Sequence, residues 1–169
     1  MPDSAAPPPG TVFVEGNVSY SIFQLARAHR SYASALLRRL DLHPGQELIL
    51  MHLHQRDGQT QSELVANVGV DHSTMSKALR RMQDTGLLTR RPAEHDRRVS
   101  VNHLTAKGES MREPIAAMWR ELDDVTTANL TARQRTTLVT TAHTIVTSIN
   151  SRLPSTGTNE GDPPRSPGP

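Results

Sequence analysis

The sequence predicts a mainly α-helical fold with a single β-hairpin, in the arrangement of a winged helix-turn-helix between two long terminal helical segments. Three observations predict it. Apolar residues recur at alternating spacings of four and three near both ends of the chain, as in long amphipathic helices. Two capped helical patterns meet at a tight turn, residues 67–70. Two strand-like runs, 87–91 and 99–104, follow and flank a polar tip, which predicts a two-stranded β-hairpin wing.

The first part of the chain is expected to form three helices. The first runs from about residue 18 to residue 40, where the apolar residues fall on one face that we expect to be buried. Pro44 suits the first turn of a second helix over 47–54, which is apolar on nearly every side and is therefore expected between other helices. A capping box at residues 60–63 opens the third helix, which is expected to bury Leu64, Val65 and Val68.

A fourth helix begins after Asp71, which is placed to cap it. One face of this helix is apolar and the opposite face is polar and cationic, so only the apolar face is expected to be buried. Gly86 ends the helical pattern and leads into the hairpin. The buried face is predicted to consist of Met75, Ala78, Leu79 and Met82.

The rest of the chain predicts two more helices, six in all. Thr105 is placed to cap a long helix that reaches residue 130. Pro114 lies inside that pattern, so we expect a kink or a helix that restarts there. A second capping box, at residues 131–134, opens the last helix. The long helix carries a heptad seam, which consists of Met111, Ile115, Met118, Leu122 and Val125.

The composition excludes several classes of function. The chain has 169 residues, enough for one domain with its own core. Aromatic residues make up only 3%, which argues against base stacking on single strands as the main source of binding energy. The absence of cysteine excludes a disulfide framework and a thiolate metal site. Because the sequence has neither a long apolar run nor a secretion signal at its start, we expect a cytoplasmic protein without a membrane segment.

The cations are concentrated around the fourth helix and the hairpin. Between residues 71 and 98 there are seven Lys or Arg residues and four acidic residues, although the net charge of the whole chain is only +2. Such a patch fits a polyanion, and a helix beside a basic hairpin can grip double-stranded DNA in two grooves. A solvated surface face is the alternative reading of the charges. The candidate DNA-binding residues of the helix are His72, Ser73, Thr74, Ser76, Lys77, Arg80 and Arg81.

The hairpin tip divides its charges between two roles. The side chain of Arg97 or Arg98 is sized for the narrow minor groove, where negative potential is concentrated. Asp96 would be a poor DNA contact, and we expect its carboxylate to brace the wing or one of the arginines.

Four stretches of the sequence together resemble the multiple antibiotic resistance regulator (MarR) family of winged helix-turn-helix transcriptional regulators. They are the runs 64–74 and 79–88, the triplet Asp96-Arg97-Arg98, and the segment Leu-Thr-Ala-Lys-Gly at 104–108. The resemblance covers about residues 18–153. It implies a winged-helix homodimer that usually represses promoters and that releases DNA when a ligand binds between the DNA-binding lobe and the dimerisation helices. It also implies that Asp96 braces the hairpin and that Arg97 enters the minor groove.

The terminal helices carry more apolar surface than a small winged domain can cover, and a second copy of the chain would cover the excess. We therefore expect a homodimer that matches a pseudo-palindromic operator, with a monomeric six-helix bundle as the alternative. The predicted domain covers residues 17–153. Its DNA-binding lobe is 44–104, and its long terminal dimerisation helices are 17–40 and 105–153. The Pro-rich tails, 1–16 and 154–169, are expected to be disordered.

The resemblance places an effector pocket where the first, second and fifth helices meet. An apolar pocket with a few polar groups would suit a small phenolic or lipophilic effector. The alternative is that the Met and Trp side chains only fill the core, since methionine adapts to irregular gaps. The candidate lining residues are His29, Tyr32, Met51, His52, Met111, Met118 and Trp119.

Other functions have less support in the sequence. His52 and His54 point apart on a helix and cannot chelate one metal together, so a zinc-responsive regulator is a minor alternative, beside a regulator without any ligand. We expect no metal and no cofactor. Paired catalytic carboxylates, a phosphate-binding glycine loop and a nucleophile elbow are all missing, so we expect no enzyme activity. A winged-helix module for protein contacts would lack the cations of the fourth helix and the wing.

Overall fold

The computed structural model describes residues 17–93, 96 and 98–153, which form seven α-helices and three short β-strands. The mainly α-helical winged helix-turn-helix predicted from the sequence is confirmed. In chain order the elements are α1 Val18–Arg38, α2 Gln46–Gln55, β1 Gln59–Thr60, α3 Gln61–Val68, α4 His72–Asp84, β2 Leu88–Pro92, β3 Ser100–Leu104, α5 Ala106–Ser110, α6 Arg112–Thr127 and α7 Ala132–Asn150.

The chain divides into two units after residue 126. The first unit contains α1 to α5, the sheet and all of α6 except its last residue. Its core is an apolar cluster to which α1, α2, α3, α4 and α6 all contribute, including Leu37, Leu50, Leu64, Met75 and Leu122. The second unit contains α7, on which no residue is buried.

The three strands form one antiparallel sheet in the order β1-β3-β2. Leu88 of β2 lies opposite Leu104 of β3, and Gln59 of β1 lies opposite Asn102 of β3. The hairpin predicted from the sequence is confirmed, with both strands beginning one residue later than expected. Strand β1 was not predicted, because two residues are too few to show an alternating pattern.

The helix boundaries correct the prediction at several points. Helix α1 ends at Arg38, two residues early, and Pro44 lies before Gly45, the N-cap of α2, rather than in its first turn. The long helix after the hairpin is two helices, because α5 ends at the C-cap Met111 and α6 starts at Arg112. Pro114 therefore stands in the first turn of α6, where its missing N–H is not needed. The predicted restart is real but comes two residues before the proline.

The burial of the apolar stripes also differs from expectation. Ile115, Met118 and Leu122 of the predicted heptad seam are buried in the chain's own core, so they do not form a seam for another chain. Contrary to the prediction, the first half of α1 is not buried, since Val18 is 67% exposed. The residues of α1 that belong to the core or pack against it lie in its C-terminal half: Tyr32, Ala33, Leu36 and Leu37. The tails expected to be disordered, 1–16 and 154–169, lie outside the described residues.

Candidate DNA-binding site

Helix α4 presents one fixed face to the outside. Met75, Leu79 and Met82 are fully buried and anchor the opposite face in the core, as predicted, whereas Ala78 of the same face is only partly buried. All seven candidate DNA-binding residues of this helix are exposed, so the structure brings them together on one surface: His72, Ser73, Thr74, Ser76, Lys77, Arg80 and Arg81.

The start of α4 is fixed by its N-cap. Asp71 accepts hydrogen bonds from the hydroxyl of Thr74 at 2.7 Å and from the backbone N–H of Thr74 at 2.8 Å. These two hydrogen bonds are the main cause that lowers the pKa of Asp71 below its ordinary value. The Asp71 carboxylate therefore stays ionised and caps the helix. Because the Thr74 hydroxyl donates its hydrogen to Asp71, the hydroxyl groups of Ser73 and Ser76 are the ones left to donate to another molecule.

The helix before the turn is fixed in the same way. Thr60 and Glu63 form the predicted capping box of α3, and Arg56 donates to Glu63 at 2.7 Å. Hydrogen bonds from the Thr60 backbone, from Arg56 and from the Thr60 hydroxyl lower the pKa of Glu63 to about 2. Gly69 follows α3 in the left-handed region with φ of 74°, and this lets the chain turn sharply into α4.

The cations of α4 and the wing can be compared with the other arginines by their ion pairs. Elsewhere in the first unit, four arginines pair with carboxylates, as in Arg39–Glu121 at 2.7 Å and Arg112–Glu109 at 2.8 Å, whereas the ion pairs of the described residues include none of the other arginines of α1, Arg27, Arg30 and Arg38. Within the described part of the chain, no ion pair involves the cations of this patch. A patch of uncompensated cations attracts a polyanion at long range. These cations are Lys77, Arg80, Arg81, Arg90, Arg91 and Arg98.

The wing tip is only partly described. Asp96 accepts a hydrogen bond from the backbone N–H of Arg98 at 2.9 Å through its carboxylate, and another from Val99 through its carbonyl oxygen. The carboxylate thus holds the returning strand of the loop. Arg98 is exposed. Arg97, the residue predicted to enter the minor groove, lies outside the described residues.

The segment Leu-Thr-Ala-Lys-Gly fastens the base of the wing to the end of α4. The hydroxyl of Thr105 donates to the carbonyl of Gly86 at 2.6 Å, and Lys107 donates to the carbonyl of Thr85 at 2.9 Å. Gly108 packs so closely that a Cβ there would lie 2.2 Å from the carbonyl oxygen of Leu87. These contacts explain why a threonine, a cation and a glycine occur at this spacing.

A second set of polar contacts at the wing base was missed from the sequence. Asp57 accepts from the backbone N–H of Leu104 at 2.9 Å and contacts the ring of His103 at 2.8 Å. Partial burial alone would raise the pKa of Asp57, but the hydrogen bonds from His103 and from the Leu104 and Gly58 backbone lower it. No local sequence signal identifies this pair, because the two segments are far apart along the chain.

Two buried amide side chains connect β1 with the wing strand β3. Asn102 is fully buried and donates to the carbonyl of Gln59 at 3.0 Å. Gln59 in turn donates to the carbonyls of His52 and Arg56, and accepts from Asn67 at 2.9 Å. The network therefore joins the last turn of α2, helix α3 and the wing strand through one buried hydrogen bond, from Asn102, and three partly buried ones.

The seven candidate pocket residues do not share one cavity. Met51 and Trp119 line a cleft of about 450 Å³ between α2 and α6, together with His54, Ile115 and Arg112. His29 and Tyr32 line a separate groove of about 360 Å³ between α1 and the end of α6. Met118 borders a third, smaller hollow of about 150 Å³. His52 and Met111 line none of the three.

Across residues 17–93, 96 and 98–153, no group of three or more His, Asp or Glu residues is placed to hold a metal ion. Among the described helices, none has the length and apolar character needed to cross a membrane. His54 instead contacts the carbonyl of Gly108 at 3.0 Å, where it links α2 to α5.

Comparisons with known proteins agree with this architecture. A family model described as MarR family matches residues 40–99, which include the helix-turn-helix and most of the wing. An uncharacterized HTH-type transcriptional regulator of Bacillus subtilis is 23% identical over 124 residues, which are 73% of this chain and 83% of that protein. An HTH-type transcriptional repressor of Mycobacterium tuberculosis is 28% identical over 118 residues, 70% of this chain and 85% of that protein.

The fold is also similar to solved structures. One is a crystal structure of a MarR family transcriptional regulator from Listeria monocytogenes complexed with 26mer DNA. It is 21% identical with a TM-score of 0.68, and the match covers 80% of this chain and 90% of that one. The family match over residues 40–99, the relatives and the shared fold make this chain similar to the winged helix-turn-helix transcriptional regulators of the MarR family.

Proposed function

We propose that this chain is a homodimeric repressor that binds a pseudo-palindromic promoter operator, and that a small-molecule effector relieves the repression. The exposed face of α4, cationic and without ion pairs among the described residues, is the observation that carries the proposal. The similarity to a regulator crystallised with 26mer DNA supports it.

Helix α4 has the dimensions and chemistry to enter the major groove. Its 13 residues span about 20 Å, and the groove is wide enough to admit an α-helix. Lys77 and Arg80 lie on the outer face, where they can donate to the O6 and N7 atoms of guanine. The short side chains of His72, Ser73 and Thr74 at the helix start can approach base edges or phosphates. Ser76 can also approach base edges or phosphates, and we expect Arg81 to contact a phosphate of the DNA backbone.

The wing supplies the second groove contact. We assign Arg97 to the minor groove and Arg98 to the adjacent backbone. The hydrogen bond from the Arg98 backbone to Asp96 supports a bracing role for this carboxylate, since it limits the shapes that the loop can adopt. A braced loop loses less conformational entropy when it inserts an arginine into DNA.

Exposed apolar residues support a dimer. On α1, Ile22, Phe23 and Leu25 are each more than 40% exposed. On α7 several large apolar residues are exposed, and burial of such surface is the main driving force of obligate association. A second copy of the chain would cover these residues, and twofold pairing would present two α4 helices to two operator half-sites. The exposed apolar residues of α7 include Leu138, Val139, Val146 and Ile149.

The cleft between α2 and α6 is the best candidate for an effector. Met51, Ile115 and Trp119 give it an apolar lining, and Arg112 and Arg120, each paired with a glutamate, add polar groups to it. A small phenolic or lipophilic molecule fits this chemistry. A ligand there would contact the last turn of α2, which the Gln59 network connects to the wing.

The test of the function starts from DNA selection with the full-length protein. A duplex is selected from a random pool of about 30 base pairs, which is long enough for two half-sites one helical turn apart. Selection of an inverted repeat, binding of two chains per duplex, and a steep fall of affinity with salt are expected. An affinity that does not change with salt, or selection without any enriched sequence, would contradict the proposal. Repression itself is tested by a reporter gene placed behind the selected site.

Point variants make the same test specific to α4. Lys77→Ala and Arg80→Ala are each expected to lower the affinity for the selected duplex about tenfold, since a good base contact contributes about 1–3 kcal/mol. Arg39→Ala is the matched control, because Arg39 is an exposed arginine that pairs with Glu121 away from α4. Equal losses for all three variants would mean that only net charge matters.

A further inference from the structure

One side chain of α3 contacts both of the elements that face DNA. The side-chain amide of Gln61 donates to the backbone carbonyl of His72, the first residue of α4, at 3.2 Å. Its carbonyl oxygen accepts from the guanidinium of Arg90, on the wing strand β2, at 3.2 Å. An amide carries a donor and an acceptor on one carbon, so a single glutamine can serve both partners.

The backbone around Gln61 is held on both sides. Thr60, the preceding residue, is in β1 and pairs with Val101 of β3. Gln61 itself is the first residue of α3, whose capping box fixes the helix start. The amide group therefore extends from a rigid corner between the sheet and the helix-turn-helix, and not from a free loop.

The two ends of α4 are attached to the wing in different ways. The C-terminal end continues through Gly86 into β2 and is fastened by Thr105 and Lys107. The N-terminal end lies about 20 Å away along a helix of 13 residues. Among the hydrogen bonds between described residues, the pair formed by Gln61 is the side-chain link from this end to the wing.

We propose that Gln61 is a positioning residue for DNA recognition: it fixes the N-terminal end of α4 relative to the wing through Arg90, so that both enter their grooves together. The proposal rests on the proposed function above. A recognition helix that can pivot about its C-terminal end spreads its N-terminal side chains over several positions, and base contacts suffer more from such movement than phosphate contacts do. Gln61 is thus expected to affect the discrimination between operator and other DNA.

The test is a double-mutant cycle with the full-length protein on the duplex that the wild type selects. Gln61→Met keeps the length of the side chain and removes both hydrogen bonds, and we expect it to lower the affinity for this duplex about tenfold. Its affinity for a scrambled duplex should stay within about twofold, because non-specific binding depends on phosphate contacts. Arg39→Met is the control for the loss of a polar side chain, since Arg39 is exposed, pairs with Glu121 away from α4 and the wing, and should change neither affinity.

Arg90→Met supplies the second arm of the cycle. The hydrogen bonds of Gln61 to His72 and Arg90 form a bridge between α4 and the wing. If this bridge acts as one unit, adding Gln61→Met to Arg90→Met lowers the affinity by much less than tenfold. Independent losses that multiply in the double variant would overturn the proposal, and so would a Gln61→Met variant that loses affinity for both duplexes equally. Thermal unfolding checks that each variant is folded. Should Gln61→Met fail to fold, Gln61→Asn keeps the amide, shortens its reach by one methylene and gives the same cycle.

The cycle separates this inference from the function on which it rests. If the wild-type protein selects no duplex, the proposed function fails before any variant is measured. If the wild type selects an inverted repeat and the cycle shows no coupling, the function stands and the role of Gln61 is refuted.

Discussion

Replacing Gly108 with alanine is expected to destabilise the protein by about 2 kcal/mol, although the same change raises the stability of most exposed helices by about 1 kcal/mol. Gly108 is buried in α5, and a Cβ there would meet the carbonyl oxygen of Leu87 at 2.2 Å. This separation must grow to at least 3.0 Å, because real Cβ atoms do not approach more closely. The neighbour is backbone and cannot rotate away as a side chain would.

The magnitude follows from what the shift disrupts. The Leu87 carbonyl accepts the backbone N–H of Thr105 at 3.1 Å, so moving it weakens a hydrogen bond that contributes about 1 kcal/mol. Overpacking of a tight site costs about 1–3 kcal/mol more, and the better helix propensity of alanine offsets about 1 kcal/mol. The sum is about 2 kcal/mol, or a fall in melting temperature of about 6 °C for a chain of this size.

Circular dichroism melts of the full-length protein at a fixed concentration measure this difference. Ser110→Ala is the control, because Ser110 is an exposed residue of the same helix and lacks a close neighbour of this kind. A melting temperature of Gly108→Ala equal to or above that of the wild type would show that α5 can move away from β2 at little cost. The explanation of the Leu-Thr-x-x-Gly spacing would then be wrong.

Three further predictions concern DNA binding, pH and association. Arg97→Ala should weaken operator binding about tenfold in a gel-shift assay without lowering the melting temperature, and intact affinity would contradict the minor-groove role. Because the pKa of Glu63 is lowered to about 2, its contribution to stability is present above about pH 4.5 and is lost as the pH falls towards 2. Glu63→Gln should therefore flatten the acid limb of the unfolding free energy, and an unchanged slope would count against it. Val146→Glu changes an exposed residue of α7 and should give a folded monomer by light scattering. Leu122→Glu changes a core residue and should unfold the chain. A Val146→Glu protein that stays dimeric would place the interface elsewhere.

Local patterns in the sequence were sufficient for the helix-turn-helix. The caps at Asp71 and at Thr60 each depend on residues three positions apart, and the buried face of α4 follows from its helical period. Features of this kind are encoded within one turn or two, so the sequence predicts them without knowledge of the fold.

Features that depend on distant segments could not be predicted in this way. The seam around Met118 has the period of a surface for another helix, but periodicity does not say whether that helix belongs to the same chain. Strand β1 exists only because β3 lies beside it. The bridge at Gln61 joins residues 61, 72 and 90, whose side chains give no sign of their proximity. The DNA-contact assignments at Lys77, Arg80 and Arg97 stay predictions for the assays above.

The buried amides beneath the wing limit how this lobe can diverge in sequence. Asn102 cannot become valine alone, because the Gln59 carbonyl would lose its donor in a place that water does not reach. Nor can Gln59 become leucine alone, since two carbonyls at the end of α2 and the amide of Asn67 would lose a partner. The acceptors are backbone carbonyls that remain after any substitution, so related regulators should keep a hydrogen-bond donor at both positions.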